Sequence, residues 1–156
     1  MSESSYAAHY VAAGLNLESV IFKLSHPRGN GWTMERARRV EQEYRRWLYL
    51  NVLFPQTSLV PTEDVDEMWH THILDTAAYA SDCQIMFGKF MHHFPFAGMM
   101  GEADMLAHRE HAAETGELFL WVFGRQLEGQ SAECTNCDAA PFGRPRPDAE
   151  NLPVHA

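Results

Sequence analysis

Apolar side chains return every three or four residues in four separate stretches of this chain, and prolines and glycines fall between the stretches. That period is the repeat of one helix face, and it excludes the alternation of a half-buried strand. Over residues 15–24, Leu17, Val20, Ile21 and Leu24 share a face, and the breaker-rich run from Ser25 to Gly31 ends it. Thr33 then stands as an N-cap with Glu35 in the first turn, and Ala37, Val40, Tyr44, Trp47, Leu48 and Asn51 carry a helix to about residue 53, where Phe54-Pro55 stops it. Thr62, with Glu63, Asp64 and Asp66 behind it, opens a long helical stretch marked by Val65, Trp69, His72, Thr76, Tyr79 and Cys83, which Gly88 closes or kinks. After a loop holding Phe94-Pro95, the last helix covers residues 102–123 with Met105, His108, Ala112, Thr115, Phe119 and Val122 on its stripe and Gly124 as its C-cap. These stretches predict an all-α, single-domain bundle of about four to five helices over residues 1–124. Residues 125–156, rich in Gly and Pro after Pro141, are expected to form an irregular or mobile tail carrying Cys134-Thr-Asn-Cys137.

Charge narrows the partners. Twelve basic residues against 21 acidic ones give a formal net charge of −9, which argues against a nucleic-acid backbone or an anionic membrane. The one basic run, Arg36, Arg38, Arg39, Arg45 and Arg46, is interleaved with Glu35, Glu41 and Glu43 and reads as a solvated helix face. No apolar run reaches the roughly 20 residues needed to cross a bilayer. No secretory signal is visible, and an odd count of 3 cysteines fits reduced thiols, so the expected location is cytoplasmic.

Chemistry concentrates in the histidines, six of nine lying between positions 70 and 111. His70 and His72 differ by about 200° around a regular helix and so cannot share a face. His72 falls on the inner stripe, while His70 follows Asp66 by one turn, close enough for the carboxylate to support an imidazole from behind. His92-His93 lies among Phe90, Phe94 and Phe96, and a consecutive pair contributes at most one member to a shared centre. His108 and His111 are three apart, with His108 on the apolar stripe, but His-Arg-Glu-His departs from the His-Glu-x-x-His of zinc proteases. Cys83 is a candidate soft ligand or a small core residue. Cys134 and Cys137 form a C-x-x-C able to chelate a thiophilic metal or to cycle between thiol and disulfide.

The run Leu59-Val-Pro-Thr-Glu-Asp-Val-Asp-Glu-Met-Trp-His-Thr-His-Ile-Leu-Asp-Thr, with Tyr79, Asp82-Cys83 and Phe87-Gly-Lys-Phe-Met-His-His-Phe-Pro, resembles the glycine-rich domain-containing protein-like family, a domain of unknown function. The similarity covers roughly residues 17–123, and the family signature corresponds to Asp66, Trp69, His70, His72, Tyr79 and Cys83. The resemblance implies a fold unit built around the histidine segment and no settled reaction.

The leading expectation is that His70 or His72, one of His92 and His93, and His108 converge on a transition metal, iron or copper ahead of zinc. An open coordination position would suit a small-molecule oxidoreductase, with Tyr79 as proton donor or radical relay. The rivals are a protein-interaction module whose histidines only satisfy a polar core, and a metallochaperone working through Cys134 and Cys137.

Overall fold

Six α-helices make up most of the described chain, residues 3–136, in the computed structural model. α1 (Glu3–His9) runs into a π-helical turn (Tyr10–Gly14), followed by α2 (Glu18–Ser25), α3 (Met34–Leu53), α4 (Glu63–Leu74), α5 (Thr76–Phe87) and α6 (Glu102–Phe123). Two short strands, β1 (His93–Phe94) and β2 (Thr135–Asn136), pair antiparallel. The fold is therefore mostly helical, as the periodicity predicts. No helix among the described residues is long and apolar enough to cross a membrane.

Local chemistry sets the helix ends. The Thr33 hydroxyl accepts from the Arg36 amide at 3.1 Å, and the Thr62 hydroxyl accepts from the Val65 amide at 3.4 Å. Gly88 and Gly124 close α5 and α6 in the left-handed conformation. α3 is the central element, packed against α1, α2, α4 and α6. Its inner face buries Ala37, Val40, Tyr44, Trp47, Leu48 and Leu50 against Leu17, Ile21, Leu24, Trp69 and Phe119. Each aliphatic side chain or phenyl ring of this core is worth about 1.5–3 kcal/mol, which outweighs small differences in helix propensity.

The structure departs from the sequence reading in three places. The stretch after Thr62 is two helices, because the Asp75 amide bonds to the His72 carbonyl three residues back, at 3.1 Å, and the chain turns there. Thr76, expected on the buried stripe, is consequently exposed, while Tyr79 and Cys83 stay fully buried. The basic run of α3 is also more than a solvated face. Arg45 donates to the Val11 and Leu15 carbonyls, both at 2.8 Å, and so closes the π-helical turn, and buried Glu41 holds it at 2.7 Å.

The third departure lies in the segment expected to be an irregular tail. Residues 130–136 return to the body as an extended strap. The Glu63 amide donates to the Gln130 carbonyl and the Ala132 amide to the Pro61 carbonyl, each at 2.9 Å. The Thr135 hydroxyl reaches the Leu59 carbonyl at 3.2 Å, and β2 places Asn136 opposite His93 and Thr135 opposite Phe94. Cys137, the second cysteine of the C-x-x-C, lies outside the described residues.

A polar chain crosses the interior beside this core. The Tyr10 hydroxyl donates to Asp82 Oδ1 at 2.6 Å, and His72 Nε2 meets Asp82 Oδ2 at 2.9 Å. Since the carboxylate accepts from Nε2–H, His72 Nδ1 accepts from the Tyr44 hydroxyl, 2.9 Å away. Burial, then the hydrogen bond to Asp82 and that carboxylate's charge, push the Tyr10 phenol up to about 12. A raised phenol stabilises the fold fully below its unfolded value of 10.0, and the contribution is lost as pH climbs towards 12. Urea denaturation of Tyr10→Phe should therefore show lower stability at neutral pH and a shallower loss between these two values. Parallel profiles for the two proteins would rule this out.

Candidate metal centre

Asp66 and His70 lie one turn apart on α4, so their side chains leave the same helix face. His93 reaches the same point from β1, and Cys134 reaches it from the strap. His93 Nε2 is 2.9 Å from Asp66 Oδ1 and 2.7 Å from His70 Nε2. His70 Nε2 is 3.4 Å from Asp66 Oδ1, and Cys134 Sγ is 2.8 Å from that same oxygen. Ligand atoms of Asp66, His93 and Cys134 all lie within 4.8 Å of one another.

Hydrogen bonds alone satisfy this arrangement poorly. His93 Nε2 carries at most one proton yet faces both a carboxylate oxygen and another imidazole nitrogen. A single carboxylate oxygen is in turn approached by two rings and a thiol. Bonds of about 2.0–2.3 Å at tetrahedral angles put neighbouring donor atoms roughly 3.3–3.7 Å apart, so Asp66, His93 and Cys134 are spaced for one cation after modest shifts, with His70 joining from outside that group.

The centre is dry on its inner side and open on its outer one. Cys134 is 2% exposed, and the side chains of His93 and Asp66 are 11% and 16% exposed, against 49% for His70. Burial works to raise the Asp66 carboxyl, but the hydrogen bonds from His93 and Cys134 and the charges of the two imidazoles outweigh it and hold the group below its ordinary value. The Cys134 thiol is pushed well above its usual range, first by burial and then by the charge and hydrogen bond of Asp66. A bound cation reverses that balance in favour of the thiolate.

Trp69 and Tyr79 support the centre without facing it as donors. The indole of Trp69 packs on the His93 ring at 4.4 Å between centroids. Its Nε1–H donates to the Tyr79 hydroxyl at 2.9 Å, and that hydroxyl donates to the Met91 carbonyl at 2.7 Å, two residues before His93. The proton that would make Tyr79 a donor in catalysis is thus held by a backbone oxygen.

Of the residues singled out in the sequence, the structure brings His70, His93 and Asp66 together. Asp66 takes part directly, where the sequence suggested only support from behind. His72 is elsewhere, with both ring nitrogens engaged in the Tyr10–Asp82–His72–Tyr44 chain. Cys83 is buried in the core of α5. His92 is exposed, with its ring against Phe90. His108 Nε2 donates to the Ala132 carbonyl at 2.8 Å. Cys134 is the addition. The C-x-x-C marked it as a thiol of interest, but nothing in the sequence shows that the strap returns to α4.

Replacing Tyr79 by Phe removes the acceptor of Trp69 Nε1–H and the donor to Met91, which should destabilise the protein by about 1–3 kcal/mol in urea denaturation. A change under about 0.5 kcal/mol would contradict this account.

The geometry can be set beside known proteins. A match 54 positions long, covering 32% of this chain, is 41% identical to part of Glycine-rich domain-containing protein 1 of Arabidopsis thaliana. The match spans 7% of that protein's length, so this chain is similar to a small part of it. No solved structure matches. The resemblance to glycine-rich domain-containing proteins is supported, and the UCP032817-like family model matches residues 13–111, well over half of the chain. The chain belongs to the UCP032817-like family.

Proposed function

We propose that this protein binds one transition-metal ion through Asp66, His70, His93 and Cys134. The observation that carries the reading is the approach of two imidazole nitrogens and a thiol to a single carboxylate oxygen, at 2.8–3.4 Å across three separate chain segments. Two imidazoles, a carboxylate and a thiolate form the mixed N, O and S set that zinc accepts in a tetrahedral site. Imidazoles alone suit zinc, copper and iron alike, and the two-histidine, one-carboxylate part of this set is also one that ferrous iron uses. With Cys134 included, zinc takes precedence. The ligand set requires a reduced Cys134, in keeping with a cytoplasmic location.

Four protein ligands close a tetrahedral shell, so a Lewis acid or a small-molecule oxidoreductase at this centre would need the half-exposed His70 to give up its position to water or substrate. Such an oxidoreductase would require iron or copper at the centre. A second reading, that the ion is a clasp tying α4, β1 and the strap together, draws on the position of the clefts. A cleft of about 560 Å³ lies beside Phe22, His26 and Leu74, and one of about 480 Å³ lies between Val11, Arg45 and Phe123. Neither includes a member of the cluster.

Protein stripped of metal by a chelator that is then removed should bind one equivalent of Zn(II) in a calorimetric titration. It should also melt at a higher temperature with the ion, since a ligand specific for the native state adds about 4 kcal/mol at a thousandfold excess over its Kd. His93→Ala should abolish the stabilisation, and His92→Ala, its exposed neighbour, should leave it unchanged. Failure of the unaltered protein to bind Zn(II), Fe(II) or Cu(II) in stoichiometric amount would end the proposal, as would equal effects of the two variants.

A further inference from the structure

We infer that His108, which stands outside the cluster, is the residue that presents Cys134 to the metal. This rests on the metal reading above. His108 lies on α6, a helix that contributes no donor atom to the centre. Its Nε2–H donates to the Ala132 carbonyl at 2.8 Å, two residues before Cys134 in the strap. Its Nδ1 is buried and has no hydrogen-bond partner among the described residues. An unsatisfied buried nitrogen opposes the fold, so packing alone is a poor account of a histidine here, and what the ring supplies is the hydrogen bond to the strap.

The surroundings are shaped to the same end. Gly98, at φ +83°, lies against the His108 ring, and a Cβ there would sit 3.1 Å from Cδ2. The loop can pass the imidazole at this distance because position 98 has no side chain and tolerates the left-handed conformation. From the opposite side the Ala132 amide is fixed by the Pro61 carbonyl. Ala132 is therefore held at both of its backbone polar groups, by the turn leading into α4 and by α6. The next residues deliver Cys134 to Asp66 and Thr135 to Leu59. Asp66 and His70 share α4 and need none of these contacts, and His93, although β1 pairs with β2 of the strap, is also held by the Trp69 indole packed on its ring and by the Tyr79 bond to Met91. Among the four ligands His108 thus acts first on Cys134, and its loss should be read at the sulfur.

Co(II) is the probe, since a thiolate ligand gives a near-ultraviolet charge-transfer band while the visible ligand-field bands report the whole coordination shell. His108→Leu keeps the volume and removes the donor. It should weaken Co(II) binding by about 10–100-fold, the usual effect of losing a group that orients a ligand. It should also lose the charge-transfer band while the visible bands persist in shifted form, with unchanged far-ultraviolet circular dichroism. His108→Gln, which retains an N–H on a long side chain, should restore part of the band. If His108→Leu fails to fold, His108→Asn replaces it with the same expectation, because its amide is too short to reach Ala132. A folded variant that keeps the charge-transfer band at full affinity overturns the inference, and so does one that loses both sets of bands together. Absence of Co(II) binding by the unaltered protein defeats the metal reading itself.

Discussion

Trp69 packs its indole against Trp47 on one side, at 4.6 Å, and against His93 on the other, at 4.4 Å. The first contact belongs to the apolar core and the second to the polar cluster, so one side chain joins the two. The nitrogen of that indole needs a partner once it is buried, and Tyr79 provides it while fixing Met91. Core packing therefore determines where the loop before β1 runs, and the loop determines where His93 stands. Asp66 and His70 need no comparable device, because helical spacing already aligns them.

Seen this way, the Asp66, Trp69, His70, His72 and Tyr79 pattern records two tasks on a single helix. The angular separation that bars His70 and His72 from a common site sends them into different environments. His70 points out to the cluster, and His72 points into a chain of hydroxyls and a carboxylate that links the N-terminal turn, α3, α4 and α5. Each histidine has an aspartate. Asp66 gathers several donors at one oxygen, whereas Asp82 divides its two oxygens between Tyr10 and His72. The same residue types thus produce a candidate ion site in one place and a satisfied polar core in the other.

Much of the helical fold was legible in the sequence, since the stripes of α2 and α3, the caps at Thr33 and Thr62 and the glycine stops depend on local spacing. The turn at Asp75 was not, because no proline or glycine marks it and the packing of both halves decides it. Half of the cluster was legible for the same reason, Asp66 and His70 being one helical turn apart. The choice of His93 over His92 depends on which face of a two-residue strand meets α4, and periodicity is silent over so short a segment. Cys134 was hidden more deeply. Its neighbours are polar and small, and its placement follows from backbone hydrogen bonds to Pro61 and Glu63 that leave no trace in residue type.

The contact between Cys134 and Asp66 spans 68 positions of the chain. Chains emerge from the ribosome N-terminus first, and domains fold as their segments become available. A nascent chain long enough to form α4 already offers a carboxylate and one imidazole, while the sulfur, and the strand β2 that pairs with β1 at His93, have yet to be translated. Completion of the donor set therefore comes late in the life of each molecule, after α6 has been made and has somewhere to dock.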